Sequence, residues 1–289
     1  MFSARSGYGG KAVPVSCQHV PVLPQVVAHR GASEDAAEHT LAAYRQAIAS
    51  GADALECDVR LTRDGVLVCV HDRRVDRTSD GRGVVSALEL ADLAELDFSS
   101  WHPSRVEAPD LEHGPDDVDR RVLTLERLLE TVADCGRRIE VAIETKHPTR
   151  YAGLVELTLV ELLARFGFDR PDADGRSPAR VMSFASSSLR RVRGIAPAVP
   201  TVYLMQRIPL RLRDGVPPGP ADAVGPSLRA LRSFPAYVER AHAHGAPVHV
   251  WTVDDPADVD YVMGLGVDVI ITNRPAAVRE QLMEQAAHG

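Results

Sequence analysis

Short runs of apolar, β-prone residues recur along most of this chain, and segments with helical periodicity fill many of the gaps between them. Several runs are almost continuously apolar, which is typical of parallel strands that are covered on both faces. The alternation of predicted strands and helices over 289 residues predicts an α/β fold, either a (β/α)8 barrel or a doubly wound sheet. The predicted strands are 26–31, 54–62, 66–72, 138–146, 179–185, 200–206, 222–228, 247–255 and 267–275.

Four of the intervening segments have a clear helical pattern. Residues 40–50, 124–134 and 153–166 each place apolar side chains on one helical face. Residues 235–244 follow the same pattern and are followed by Gly245, which suits the end of a helix.

The positions of polar side chains favour the barrel. Five polar or aromatic residues lie at or near the C-terminal ends of predicted strands: His29, Glu144, Lys146, Trp251 and Asn273. Barrel enzymes collect their chemistry at that end. A doubly wound sheet more often places function at one switch point, and no G-x-G-x-x-G loop follows the first strand. The predicted fold is therefore a (β/α)8 barrel of the TIM type.

One connection in the chain is too short for a parallel crossover. Only residues 63–65 separate the predicted strands at 54–62 and 66–72, so these strands are predicted to form an antiparallel hairpin. The hairpin pairs Glu56 roughly with His71 and folds this histidine back beside the acidic residues.

Three segments define the predicted domain organisation. Residues 1–24 contain no apolar stretch of signal-peptide length and are predicted to be a flexible N-terminal extension. Residues 25–280 are predicted to form a single barrel domain. Within it, residues 73–123 are polar and predicted to be an insertion over the barrel mouth that carries one short helix. No segment reaches the roughly 20 apolar residues of a membrane span.

Composition limits the partners and the compartment. A net charge of -7 and an aromatic content of 5% argue against a protein that coats nucleic acid or stacks on bases. The four cysteines form no C-x-x-C pair, and we expect reduced thiols in a cytoplasmic protein. The expected partner is a small molecule, and the oligomeric state is left open.

Three carboxylates lie inside apolar strand segments. Glu56 and Asp58 are two residues apart on a strand, so both side chains point to one face. They are either a solvated face of an edge strand or, if buried, ligands of a divalent cation such as Mg²⁺ or Ca²⁺. Glu144 and Lys146 share a face of another strand. They form either a buried ion pair or a third metal ligand beside a lysine that binds phosphate.

Two histidines follow apolar strands close to these acids. A lone histidine in such a position is more often structural, but the pair His29 and His71 indicates a general base and a general acid. Arg30 beside His29 is suited to binding a phosphate through two hydrogen bonds. Trp251 could form the floor of a pocket for a leaving alcohol, although core packing is favoured for this residue considered alone.

Several motifs in this order resemble the glycerophosphodiester phosphodiesterase family. They are HRGASEDAAEHT at 29–40, GADALECDVRLTRDGVLVCVHD at 51–72, DRTSDGRG at 76–83, IETK at 143–146, VHVWTV at 248–253 and TNRP at 272–275. The resemblance runs from about residue 26 to the last strand. It implies a distorted (β/α)8 barrel with a small insertion after the second-strand hairpin. It also implies cleavage of glycerophosphodiesters to an alcohol and glycerol 3-phosphate, through a cyclic phosphate intermediate.

The resemblance also implies a role for each matching residue. It assigns acid–base catalysis to His29 and His71, one divalent cation to Glu56, Asp58 and Glu144, and the phosphate to Arg30 and Lys146. Glu38 matches the family's glutamate after the first strand, and we place it with Trp251 among the substrate-binding residues.

Two positions depart from the family pattern. The usual Pro-Glu-Asn-Thr appears here as Ala37-Glu38-His39-Thr40, and Thr145 stands where an apolar residue is usual. Neither change removes an assigned catalytic group, but His39 is predicted to alter how the first loop is held, and so substrate preference. Two alternative functions stay open: a phospholipase-type lyase that releases a cyclic phosphate, and a phosphoester-binding barrel without turnover.

Overall fold

The computed structural model describes residues 23–106, 120–148 and 153–288. Within them the chain forms nine strands, one at each predicted position. These are β1 (Gln25–His29), β2 (Ala54–Leu61), β3 (Leu67–Cys69), β4 (Glu140–Thr145), β5 (Ala179–Ser183), β6 (Thr201–Met205), β7 (Ala223–Pro226), β8 (His249–Val250) and β9 (Val269–Thr272). The predicted extension lies outside the described residues except for 23 and 24, as do residues 107–119 of the predicted insertion.

Eight of these strands form a parallel barrel. The strand order is β7-β6-β5-β4-β2-β1-β9-β8, and every neighbouring pair in this order is parallel. Parallel bridges between Val224 and Val248 and between Ser227 and Trp251 join β7 to β8 and close the ring. The predicted (β/α)8 barrel is confirmed.

Helices connect the barrel strands and cover their outer faces. They are α1 (Leu41–Ala49), α2 (Leu90–Ala94), α3 (Pro103–Val106), α4 (Leu125–Ala133), α5 (Leu154–Phe166), α6 (Ser186–Ile195), α7 (Leu228–Ser233), α8 (Tyr237–Ala243), α9 (Pro256–Leu265) and α10 (Pro275–His288), with 3-10 turns at Val85–Ala87 and Leu210–Leu212. Thr40 and Thr124 cap α1 and α4, because each hydroxyl accepts a hydrogen bond from a backbone N–H of the first turn. None of the described helices is long and apolar enough to cross a membrane.

Apolar side chains fill both the barrel interior and the layer between strands and helices. Small and branched residues such as Val27, Ala142 and Val202 pack inside the barrel. Leucines of α4 and α5, including Leu129 and Leu159, pack against the outer faces of the strands. The interior is therefore a packed core, and a ligand can be bound only at one of its ends.

The hairpin and the insertion differ from the predictions in detail. Strand β3 pairs antiparallel with β2, with Val59 opposite Cys69. Continuing this register would place His71 opposite Cys57, so the predicted partner Glu56 was wrong by one residue. The described part of the insertion contains α2, α3 and a 3-10 turn instead of one short helix, and its apolar residues, including Leu93 and Phe98, cluster with Val68 of β3.

Candidate active site

The predicted site residues meet at the C-terminal mouth of the barrel. A cavity of about 140 Å³ lies there. Seven of the nine predicted site residues line it: His29, Arg30, Glu56, His71, Glu144, Lys146 and Trp251. Asp58 lies buried beside this cavity, and Glu38 lines a neighbouring one on the His29 side.

The three carboxylates converge as the strand pairing requires. Strands β2 and β4 are neighbours, and Asp58 of β2 lies opposite Glu144 of β4. Oxygen atoms of Glu56, Asp58 and Glu144 lie within 4.8 Å of one another, and all three side chains are buried. The alternative of a solvated edge strand for Glu56 and Asp58 was therefore wrong.

Burial and mutual repulsion perturb the acidity of this cluster. Burial, followed by the negative charge of Asp58, raises the pKa of Glu56 well above its usual range and the pKa of Glu144 to about 7. Burial also acts to raise the pKa of Asp58, but the hydrogen bond with His39 and the charge of Lys146 hold this pKa well below its usual range. The cluster thus contains more carboxylates than the protein's own cations fully stabilise.

Two cations contact the cluster. Lys146 Nζ lies 2.7 Å from Glu144 Oε1 and 2.9 Å from Asp58 Oδ1, so the alternative of a Glu–Lys ion pair is realised here. The ammonium is thus shared between the two carboxylates, and Asp58 Oδ1 is a buried atom. Arg30 Nε lies 3.2 Å from Asp58 Oδ2, while Arg30 Nη1 donates to Glu38 Oε1 at 3.0 Å.

The donor set fits a hard divalent cation. Three buried carboxylates share Lys146 and Arg30, and Arg30 is itself shared with Glu38. A further positive charge would compensate the excess, and oxygen atoms of the three carboxylates lie close enough together to share one ion. Oxygen-only donors favour Mg²⁺ or Ca²⁺ over softer metals.

His29 is held by a chain of hydrogen bonds from β9 and the loop that follows β8. Its Nδ1 lies 2.7 Å from Asn273 Oδ1, and Asn273 Nδ2 donates to Asp254 Oδ2 at 2.7 Å. Because the amide nitrogen faces a carboxylate, the amide oxygen faces the imidazole, so Nδ1 carries the proton. Burial, followed by the charge of Arg30, lowers the pKa of His29 to about 3. The ring is therefore neutral, with Nε2 as its proton acceptor.

His71 has a carboxylate in place of the amide. Its Nδ1 donates to Asp72 Oδ1 at 2.7 Å, and about one third of the side chain is exposed. Burial lowers the pKa of His71, while the negative charge of Asp58 and the hydrogen bond to Asp72 oppose that shift. Of the two imidazoles, His71 is the one whose partner stabilises a positive charge.

Arg77 links the insertion to both sides of the site and was not predicted. It donates from Nε to Asp72 at 2.6 Å, and from Nη1 and Nη2 to Glu38 at 2.8 and 2.7 Å. Its position within the DRTSDGRG motif was the only signal in the sequence. Asp254 was also missed, because its contact with Asn273 spans 19 residues and follows no motif.

The two departures from the family pattern each have a structural partner. His39 Nε2 lies 3.0 Å from Asp58 Oδ2, and its Nδ1 lies 2.8 Å from the hydroxyl of Tyr44. Thr145 Oγ1 lies 2.7 Å from Ser188 Oγ on α6, so its buried hydroxyl is satisfied. The histidine thus holds a metal-ligand candidate directly, whereas the threonine faces the helix layer.

Trp251 combines both predicted possibilities. It lines the cavity, and its ring packs edge-on against Phe184 with the centroids 5.5 Å apart. Its Nε1 donates to the carbonyl of Gly225 at 2.7 Å, which fixes the indole at the barrel wall. The side chain therefore packs against the core and also faces the cavity.

Comparison with known proteins agrees with this geometry. The model of the glycerophosphoryl diester phosphodiesterase family matches residues 29–277. The chain belongs to this family. It is 48% identical over 266 residues to a Mycobacterium tuberculosis protein named probable glycerophosphodiester phosphodiesterase 1, a match that covers 92% of this chain and 95% of the relative. A glycerophosphodiester phosphodiesterase of Bacillus subtilis is 33% identical over 86% of this chain and 83% of its own length.

Solved structures support the fold independently. A glycerophosphoryl diester phosphodiesterase-family structure from Silicibacter pomeroyi superposes with a TM-score of 0.77 at 24% identity, covering 92% of this chain and 95% of the other. A phosphodiesterase from Oleispira antarctica superposes with a TM-score of 0.74 at 25% identity, covering 90% of this chain and 97% of the other. The resemblance found in the sequence is confirmed, and the chain is a phosphodiesterase.

Proposed function

We propose that the chain hydrolyses glycerophosphodiesters to glycerol 3-phosphate and a free alcohol by acid–base catalysis at a divalent-cation site. One observation carries this proposal: His29 and His71 line the same cavity as two carboxylates of a buried three-carboxylate cluster. The related Oleispira antarctica phosphodiesterase, 25% identical, was solved in complex with the product sn-glycerol-3-phosphate.

The divalent cation would be held by Glu56, Asp58 and Glu144. When bound there, it would supply Lewis-acid polarisation of a phosphate oxygen and orient the substrate. Lys146 and Arg30 border the same cavity, where they can bind the remaining phosphate oxygens through charge-assisted hydrogen bonds.

The two histidines differ in a way that assigns their roles. His29 is neutral, with its proton fixed on Nδ1 by Asn273, so its Nε2 can remove a proton from the glycerol hydroxyl that attacks phosphorus. His71 has the carboxylate of Asp72 as partner and can protonate the departing alcohol. Water then opens the cyclic phosphate, with the roles of the two histidines exchanged.

A product analysis tests this proposal. We expect the wild-type chain with Mg²⁺ or Ca²⁺ to convert glycerophosphocholine to glycerol 3-phosphate and choline. Phosphorus NMR monitors this conversion. Accumulation of a cyclic phosphate as the final product would instead identify a lyase. Binding of the substrate without any turnover would identify a phosphoester-binding barrel.

A further inference from the structure

The catalytic cavity continues on the His71 side into a groove under the insertion. A cavity of about 680 Å³ shares His71, Glu144 and Lys146 with the catalytic cavity. It also shares Arg60 and Arg73 with a further cavity of about 470 Å³. We call this further cavity the arginine groove. A substrate with its phosphate at the three carboxylates can therefore extend one end into the arginine groove.

Positive side chains are concentrated in the arginine groove. Arg60 donates from Nε and Nη2 to the carbonyl of His71, at 3.1 and 2.8 Å, which ties its guanidinium to the catalytic histidine. In the described part of the chain, no carboxylate pairs with Arg60 or Arg73, and no side-chain hydrogen bond engages Arg73. None of the described lining residues of this groove is acidic.

The opposite side of the mouth is different. A cavity of about 440 Å³ there is lined by His29, Arg30, Glu34, Glu38 and Trp101, among others. Arg30 is paired with Glu38 at 3.0 Å, and Glu34 is paired with an arginine of the last loop at 3.2 Å. On this side Arg30 and Glu34 each belong to an ion pair, whereas Arg60 and Arg73 on the His71 side form no ion pair with a described residue. The chain as a whole has a net charge of -7, so the positive groove is a local feature.

We propose that the arginine groove binds a phosphate group on the departing alcohol, so that the preferred substrates are glycerophosphodiesters whose alcohol carries a further phosphate. This inference rests on the proposed function, in which His71 protonates that alcohol. A guanidinium presents paired N–H donors that match phosphate oxygens. Arg60 and Arg73 place two such groups beyond His71, on the path along which the alcohol leaves.

Two substrates that differ by one phosphate provide the test. Glycerophosphoinositol and glycerophosphoinositol 4-phosphate both yield glycerol 3-phosphate, which a coupled dehydrogenase measures. We expect kcat/KM to be about tenfold higher for the phosphorylated substrate, the usual value of one charge-assisted hydrogen bond. Equal kcat/KM values for the two substrates would overturn the proposal.

Arg73→Gln is the informative variant, because the side chain is exposed and contacts no described residue that the fold needs. We expect it to reduce the preference about three- to tenfold, mainly through KM, while turnover of glycerophosphoinositol stays unchanged. Arg82→Gln is the matched control, since Arg82 is an exposed arginine of the same insertion that lies outside the lining of the arginine groove. The same loss of preference in both variants would contradict a specific subsite.

A binding measurement separates this proposal from the proposed function. Calorimetry with inositol 1,4-bisphosphate and inositol 1-phosphate requires no turnover. We expect Arg73→Gln to weaken binding of the bisphosphate about three- to tenfold and to leave the monophosphate unaffected. If this difference is found but neither diester is cleaved, the proposed function fails and the subsite stands. If the wild type binds the bisphosphate no more tightly than the monophosphate, and neither variant changes either affinity, the subsite is refuted.

Discussion

Buried charges lie at both ends of the barrel, but they are balanced at only one. At the N-terminal end, Arg180 donates to Glu140 at 3.0 Å and to Gln25 at 2.7 Å, and Gln25 donates back to Glu140 at 2.9 Å. At the C-terminal end, three carboxylates share two cations. A buried network with balanced charges has a structural role, whereas an excess of buried charge of one sign indicates a binding site for a ligand of the opposite sign.

The largest expected difference between the two ends concerns histidines. We expect His29→Ala and His71→Ala each to lower kcat by about 10²- to 10⁴-fold, because each removes a proton-transfer group. His249 is a buried histidine at the other end of the barrel, at the start of β8. Steady-state kinetics of His249→Gln should therefore give nearly wild-type kcat per folded molecule. A His29→Ala enzyme with wild-type kcat would refute the acid–base assignment.

The next expected difference concerns glutamates. Glu56→Gln removes one cation ligand, which should cost several kcal/mol of transition-state stabilisation, or about 10³-fold in kcat. It should not lower the free energy of unfolding, because it also removes a repelling charge. Glu140→Gln breaks the balanced network and should show the reverse, a lower free energy of unfolding with kcat retained. Urea unfolding gives the free energy of unfolding of both variants, and steady-state kinetics gives their kcat. Equal changes of both quantities in the two variants would contradict the proposed difference between the two ends of the barrel.

The excess charge should also be visible in the pH dependence of stability. Burial raises the pKa of Glu144 to about 7, above the value of 4.5 expected in the unfolded chain. The folded protein then binds more protons than the unfolded chain between these values, so its stability falls as the pH rises through this window. With cations chelated, Glu144 should contribute a loss of about 3 kcal/mol at most, and Glu144→Gln should remove this contribution while leaving that of Glu56, whose pKa is also raised. An unfolding free energy of the chelated wild type that is constant from about pH 5 to 7 would contradict this.

A smaller effect is expected at the partner of His71. Asp72→Asn removes the carboxylate that opposes the lowering of the His71 pKa, so the basic limb of kcat/KM should move to lower pH. We expect a loss on the order of tenfold at mildly alkaline pH and little loss in mildly acidic buffer. Asp76→Asn serves as the control, because Asp76 is an exposed acid four residues after Asp72 that pairs with Arg74. A uniform loss at all pH values would indicate a purely structural role for Asp72.

The sequence predicted those features that depend on local periodicity or on short spacing. The nine strands follow from short apolar runs, the hairpin at 63–65 from its turn length, and the shared face of Glu56 and Asp58 from their spacing of two residues. The order of the family motifs then predicted that residues of distant strands form one site.

Features that depend on contacts between distant segments were not predicted. Arg77 reaches Glu38 across 39 residues, and Asp254 orients Asn273 from another loop. Apolar residues of the insertion pack against Val68 of β3, and the polar composition of the insertion gave no sign of this contact. Two of the three described helical segments of the insertion were therefore not predicted. The amide partner of His29 is Asn273, which lies 244 residues away and could not be derived from spacing.

The central claim is that the three-carboxylate cluster holds a divalent cation required for cleavage. The most direct measurement is the release of glycerol 3-phosphate from glycerophosphocholine by the wild-type chain, before and after removal of divalent cations by a chelator. We expect turnover to be lost on chelation and restored by Mg²⁺ or Ca²⁺ in the wild type, but not in Glu56→Gln. Full turnover by the thoroughly chelated wild-type chain would contradict the claim.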